Sequence, residues 1–121
     1  MALSGVGVGI VDVPRLAALL SRYGGKVEAR LFTDDERAYC RPRRKAAQHF
    51  AARLAAKQAL WRALGAAGPY LEVEVTGGGG APKLLLRARA ARTASDLGIK
   101  GFHVSLSHSG DTAMATVLLE R

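Results

Sequence analysis

Cysteine is nearly missing from this chain: Cys40 is the only one in 121 residues. A lone thiol has no internal disulfide to form, which suits a reducing cytoplasm, and Cys40 reads as a small, partly buried hydrophobe. Aromatic residues are scarce at 6%, so Ala, Leu and Val supply most of the apolar mass. No apolar run approaches the ~20 residues that cross a bilayer. No basic segment precedes an apolar one at the start, so neither a membrane span nor a secretory leader is expected. Acidic residues are outnumbered, 10 against 18 Lys and Arg, for a net charge of +8. Such a surface attracts anions: nucleic acid, an acidic protein or a phosphorylated small molecule. The basic residues are not interleaved with exposed aromatics and carry no helix-turn-helix, zinc or RNA-binding signature, which argues against nucleic acid. Cys40, His49, His103 and His108 lack zinc-ligand spacing. The run Gly77–Gly80 is not followed by the Lys-Ser or Lys-Thr of a phosphate-binding loop.

What remains is a hydrophobic fraction of 49%, enough to exclude a disordered chain, in a length usual for a single domain, residues 1–121. Residues 3–11 read as a buried strand, with Val6, Val8 and Ile10 on one face and the bare backbone of Gly5, Gly7 and Gly9 on the other. A bare face admits a ligand, another chain or close packing. Asp12 is a candidate N-cap for a helix that carries Pro14 in its first turn, Leu16, Leu19 and Leu20 on one face, and Arg15 and Arg22 on another. Gly24-Gly25 stops it. Thr33 and Glu36 have capping-box spacing and open a short helix that ends near Pro42. The longest helix is predicted over 45–64, with Gly65 as its stop. His49, Arg53 and Lys57 form one polar ridge on it, Phe50, Leu54 and Trp61 a neighbouring apolar face, and Gln58 lies at the border. Residues 71–76 alternate as a strand, 77–82 form a loop, 84–86 a short strand and 87–97 a helix. Residues 102–107 and 112–119 then form a hairpin around a turn at His108–Asp111. The order strand, three helices, strand pair, helix, hairpin predicts an α+β domain with an antiparallel sheet and one long helix.

Three segments in register resemble the holo-acyl-carrier-protein synthase family, small 4′-phosphopantetheinyl transferases. They are Gly5-Val-Gly-Val-Gly-Ile-Val-Asp-Val-Pro-Arg15; Phe32-Thr-Asp-Asp-Glu36 through Arg53-Leu-Ala-Ala-Lys-Gln-Ala59 to Gly65; and His103-Val-Ser-Leu-Ser-His-Ser109 with the closing Val-Leu-Leu-Glu120. The resemblance covers nearly the whole chain. It implies a trimer with active sites between subunits, and transfer of 4′-phosphopantetheine from coenzyme A to a serine of acyl carrier protein, with magnesium bridging enzyme carboxylates and the diphosphate.

The same resemblance marks the site residues. His108 matches a position near the nucleotide end of coenzyme A. Lys57 lies beside the metal site. Arg44, Lys45, Arg53 and Lys57 are candidates to meet phosphates, with a solvated basic ridge as the plainer alternative. Gly80 and Pro82 match a loop over coenzyme A. Arg15 and Arg22 match a basic helix that docks on the acidic recognition helix of acyl carrier protein or a similar acidic carrier domain. His108, Lys57 and Glu36 are the candidate catalytic groups. Two positions depart from the pattern: Gly9 and Gln58 stand where the family places an Asp and a Glu on magnesium. Family-mode magnesium binding is therefore expected to be lost or weakened, and the sequence alone leaves three activities open. These are the family transfer with a weakened metal site, a redirected metal-independent enzyme acting on a biosynthetic substrate, and a non-catalytic carrier-protein binder. Repairing both positions, Gly9→Asp with Gln58→Glu, is the natural test at this level.

Overall fold

The alternating glycines at the start of the chain build the strand against which the longest helix packs. A computed structural model of the chain describes residues 2–77 and 80–121. It contains β1 (Leu3–Asp12), α1 (Val13–Tyr23), α2 (Gly25–Leu31), α3 (Asp34–Cys40) and α4 (Ala46–Ala63). A 3-10 turn at Tyr70–Glu72 leads into β2 (Val73–Thr76), β3 (Lys83–Leu86), α5 (Ala88–Asp96), β4 (Gly101–Ser109) and β5 (Thr112–Glu120). β1, β5 and β4 form one antiparallel sheet in that order, and β2 and β3 form a separate antiparallel pair. The α+β class is as expected, although the strands fall into two sheets rather than one.

Local chemistry explains most element ends. Asp12 caps α1, its Oδ2 accepting from the Arg15 amide at 3.0 Å. Gly24, at φ +55, ends that helix. The glycine stop hides a fourth helix before β2: α2 restarts at Gly25 with no buried residue of its own. It is held instead by Glu28, whose carboxylate accepts from Arg37 Nε at 3.0 Å and from Arg41. Amphipathic patterning cannot announce a helix anchored by ion pairs. The capping box at Thr33 forms as expected, Glu36 Oε1 accepting from the Thr33 amide and Thr33 Oγ1 from the Glu36 amide. The strand expected over 71–76 starts two residues late, because Glu72 turns away to cap α5, its Oε1 accepting from the Ala90 amide at 3.0 Å. The hairpin turn shrinks to Gly110-Asp111, so His108 lies in β4.

α4 departs most from its expected character. Phe50, Arg53, Leu54, Lys57, Leu60 and Trp61 are all buried, so the polar ridge is not solvated at Arg53 and Lys57, while His49 is half-buried. It is rich in alanine, and those alanines meet the glycines of β1. A Cβ added at Gly5 would lie 2.6 Å from the Ala63 carbonyl oxygen, and one at Gly7 or Gly9 would overlap the Ala59 or Ala55 carbonyl. The register has a geometric basis: two strand residues rise about 6.6 Å and four helical residues about 6 Å. Glycines at 5, 7 and 9 therefore step along the helix in time with residues 63, 59 and 55. The bare face is filled by the chain's own helix. The opposite face of β1 is exposed and apolar, with Val6 at 57% and Ile10 at 56% exposure and Met114 of β5 beside them.

Candidate functional site

The sequence candidates separate into three places. The first is a cavity of about 290 Å³ between α4, β2, the loop after it and β4, lined by His49, Arg53, Thr76, Gly80, Pro82 and His108 among others. Gly78 and Gly79, within the predicted loop, lie outside the described residues. A basic depression of about 400 Å³, formed by Arg43, Arg44, Lys45 and Gln48, shares His49 with this cavity. Arg44, Lys45, Arg53, Gly80, Pro82 and His108, expected to bind coenzyme A, thus gather around two adjoining hollows.

Tyr39 organises the wall between them, and no motif singles it out. The guanidinium carbons of Arg43 and Arg53 lie 3.7 and 4.2 Å from its ring centroid, and the His49 ring meets it edge-on at 5.9 Å. Guanidinium–aromatic stacking fixes the cations while leaving their N–H groups available. The Arg53 Nε is buried with no hydrogen-bond partner, a donor held ready for an anion. Burial, then the charges of Arg53, Arg43 and His108, pull the His49 pKa below its ordinary value. Lys45 holds its backbone at φ +99, a strained conformation for a non-glycine residue of the kind that clusters at binding sites. Spacing alone offers a signal for this cluster: Tyr39 and Arg43 are four residues apart, as are His49 and Arg53.

The second place is the core, where two of the expected catalytic groups, Lys57 and Glu36, lie. Lys57 is 0% and Glu36 1% exposed, and neither lines the cavity with His108. The Lys57 ammonium donates to Glu36 Oε1 at 2.6 Å, the Leu31 carbonyl at 2.7 Å and the Tyr70 carbonyl at 3.1 Å. Its three donors are spent. Glu36 Oε2 accepts from the Val75 amide at 2.9 Å. Burial lowers the Lys57 pKa and the Glu36 carboxylate opposes that shift. The pair ties α3 and α4 to β2, to the end of α2 and to the 3-10 turn at Tyr70, and Glu36 also borders a small hollow that shares Tyr39, Arg53 and Thr76 with the cavity.

The third place is the seam between β1 and α4, where Gly9 and Gln58 lie. Gly9 carries no donor, and the Ala55 backbone fills the space its side chain would take. Gln58 Oε1 is buried without a partner. It borders a hollow of about 240 Å³ with Trp61, Arg62 and Tyr70. Magnesium favours carboxylate and phosphate oxygens. One neutral amide oxygen is a poor donor set for it, and no cluster of three acidic, His or Cys side chains occurs among the described residues. Arg62 is the residue sequence reading passed over: four positions after Gln58, it donates through Nη1 to the Val8 carbonyl at 2.7 Å. Arg53 and Arg62 are nine residues apart, about 900° of winding, so they leave α4 on opposite sides. The cavity and the seam therefore do not meet within one chain. Arg15 and Arg22 are exposed on α1, and Leu19, expected to pack inward, lies exposed between them.

No protein-family model matches the chain. Among curated relatives, the holo-[acyl-carrier-protein] synthase of Desulforudis audaxviator is 46% identical over 115 residues, 92% of this chain and 88% of the relative. That of Frankia casuarinae is 46% identical over 124 residues, 99% of each chain. Among solved structures, holo-[acyl-carrier-protein] synthase from Neisseria meningitidis superposes with a TM-score of 0.88 at 25% identity, covering 99% of this chain and 100% of that one. A Chronobacterium ammoniagenes complex of the synthase with coenzyme A gives 0.80 at 31% identity, covering 98% and 97%. With the fold, the length and nearly the whole sequence in agreement, the chain belongs to the holo-[acyl-carrier-protein] synthase family.

Proposed function

We propose that this chain carries out the family reaction, moving 4′-phosphopantetheine from coenzyme A to a serine of an acyl carrier protein, and that it does so as a homotrimer. The observation that carries this reading is the cationic cavity around Tyr39. It has a stacked pair of arginines, one with an unpaired buried donor, beside the basic run Arg43–Lys45, and the coenzyme A complex of a 31% identical relative covers the same length. A nucleotide bearing several phosphates suits such a wall.

The opposed positions of Arg53 and Arg62 on α4 support assembly. One ligand reaches both only if the seam of one copy faces the cavity of another. The apolar outer face of β1 and β5 offers a surface for that contact, since exposed apolar patches of this kind mark interaction sites. In this reading His108 and Arg53 bind the nucleotide end, Arg44 and Lys45 bind phosphate, and Gly80 and Pro82 cover the base. Arg15 and Arg22 meet the acidic carrier protein. Lys57 and Glu36 hold the walls rather than move protons.

Intact-mass measurement tests the proposal. Apo acyl carrier protein incubated with coenzyme A and this chain should gain the mass of one phosphopantetheine group. Absence of that gain at a molar excess of the chain would refute it, and retained binding to the apo carrier would then point to docking without transfer.

A further inference from the structure

We propose that the β1–α4 seam holds the diphosphate of its ligand through the Arg62 guanidinium and not through a divalent cation carried by the protein. The inference deepens the coenzyme A reading above and rests on it for the identity of the ligand.

Three observations at the seam carry it. The place beside Gly9 is closed, because a side chain there would enter the carbonyl of Ala55. The obstacle is backbone in the middle of a buried helix, so it does not yield to a rotamer change. Gly9→Asp therefore requires β1 and α4 to move apart before it can offer a ligand, and the repaired chain that the sequence alone recommends would be strained at this seam. Gln58 contributes a buried, unpartnered and neutral oxygen. Arg62 sits one turn further along the same side of α4, fixed by its bond to the Val8 carbonyl. No carboxylate pairs with it among the described residues.

Charge balance explains why one arginine suffices. A divalent cation held by two carboxylates brings a net charge near zero to a bound diphosphate. With no carboxylate at the seam, a single guanidinium brings a full positive charge, and its planar fork matches two phosphate oxygens. Arg62 lines the hollow it shares with Gln58, Trp61 and Tyr70, and that hollow is where the diphosphate would lie.

Calorimetric titration of the purified chain with coenzyme A and, separately, with inorganic pyrophosphate tests this, each in EDTA and in magnesium. Both probes should bind in EDTA, with magnesium changing the affinity less than about threefold. Arg62→Gln should weaken both about tenfold or more, the loss expected for a charge-assisted hydrogen bond. Arg62→Lys should recover part of that loss. Gln58→Glu, which needs no new space, should weaken metal-free binding further by adding negative charge. Binding that requires magnesium, or that is unchanged in Arg62→Gln, overturns the proposal while leaving coenzyme A as the ligand. Pyrophosphate bound through Arg62 without any coenzyme A binding upholds the proposal and rejects the ligand. Failure of both probes to bind overturns both.

Discussion

His49 is the side chain whose protonation the ligand should change. Its pKa is held low by burial and by Arg53, Arg43 and His108, so the unliganded ring is neutral at pH 7. A phosphate placed beside the His49 ring favours its charged form, so coenzyme A binding should take up protons and tighten as the pH falls toward the His49 pKa. Titration calorimetry in two buffers of different ionisation enthalpy measures that uptake; equal apparent enthalpies would contradict it. The same depression has a stability consequence with a definite sign. The folded chain resists the proton more than the unfolded chain does, so stability is full above the ordinary histidine value. It is lost as the pH falls from there through the lowered one. Lys57 gives a contrasting case. Lys57→Met leaves the Glu36 carboxylate buried without its ammonium, which should cost about 3–5 kcal/mol and appear as a lower Tm. At a temperature where the variant is folded, kcat should stay within about twofold; a far larger loss of kcat would return Lys57 to the chemistry. Sequence motifs named both residues but not their roles, since Lys57 stands in a motif beside the expected metal site whether its side chain turns inward or outward.

At the scale of elements, the strand–helix seam and the basic helix α1 make separate predictions. Gly7→Ala places a methyl group against the Ala59 carbonyl and the Ala63 amide. Overpacking of this kind costs about 1–3 kcal/mol or more, so thermal unfolding should move down by several degrees, and an unchanged Tm would dismiss the seam. On α1, Arg15, Leu19 and Arg22 form an exposed stripe of two cations around an apolar side chain. Arg15→Glu with Arg22→Glu should greatly weaken carrier-protein binding, and the parent interaction should fall steeply with salt. Binding to an immobilised carrier that ignores both changes would place docking elsewhere. The boundaries of α1, α3 and α4 were legible because caps and glycine stops are local signals. α2 was not, because its anchors Arg37 and Arg41 lie outside it in sequence. The polar ridge on α4 was legible only in part, for a related reason: periodicity reports polar positions at 49, 53 and 57, and only tertiary packing decides that Arg53 stacks on Tyr39 and Lys57 pairs with Glu36.

For the whole molecule, the central proposal is that α4 carries ligand groups on both sides. Arg53 faces the cavity with His108, and Arg62 faces the seam with Gln58. The family resemblance implied active sites between subunits but not which residues of α4 serve each side, which depends on helical phase and on which neighbours cover each side. The most direct test is subunit mixing. His108→Ala damages only the cavity, and Arg62→Gln only the seam. Each variant alone should bind coenzyme A poorly, whereas the two co-expressed should regain measurable binding, because some sites then join an intact cavity from one copy to an intact seam from another. Recovery in the mixed sample is the result predicted here. Binding in the mixture no better than in either variant alone would contradict the account.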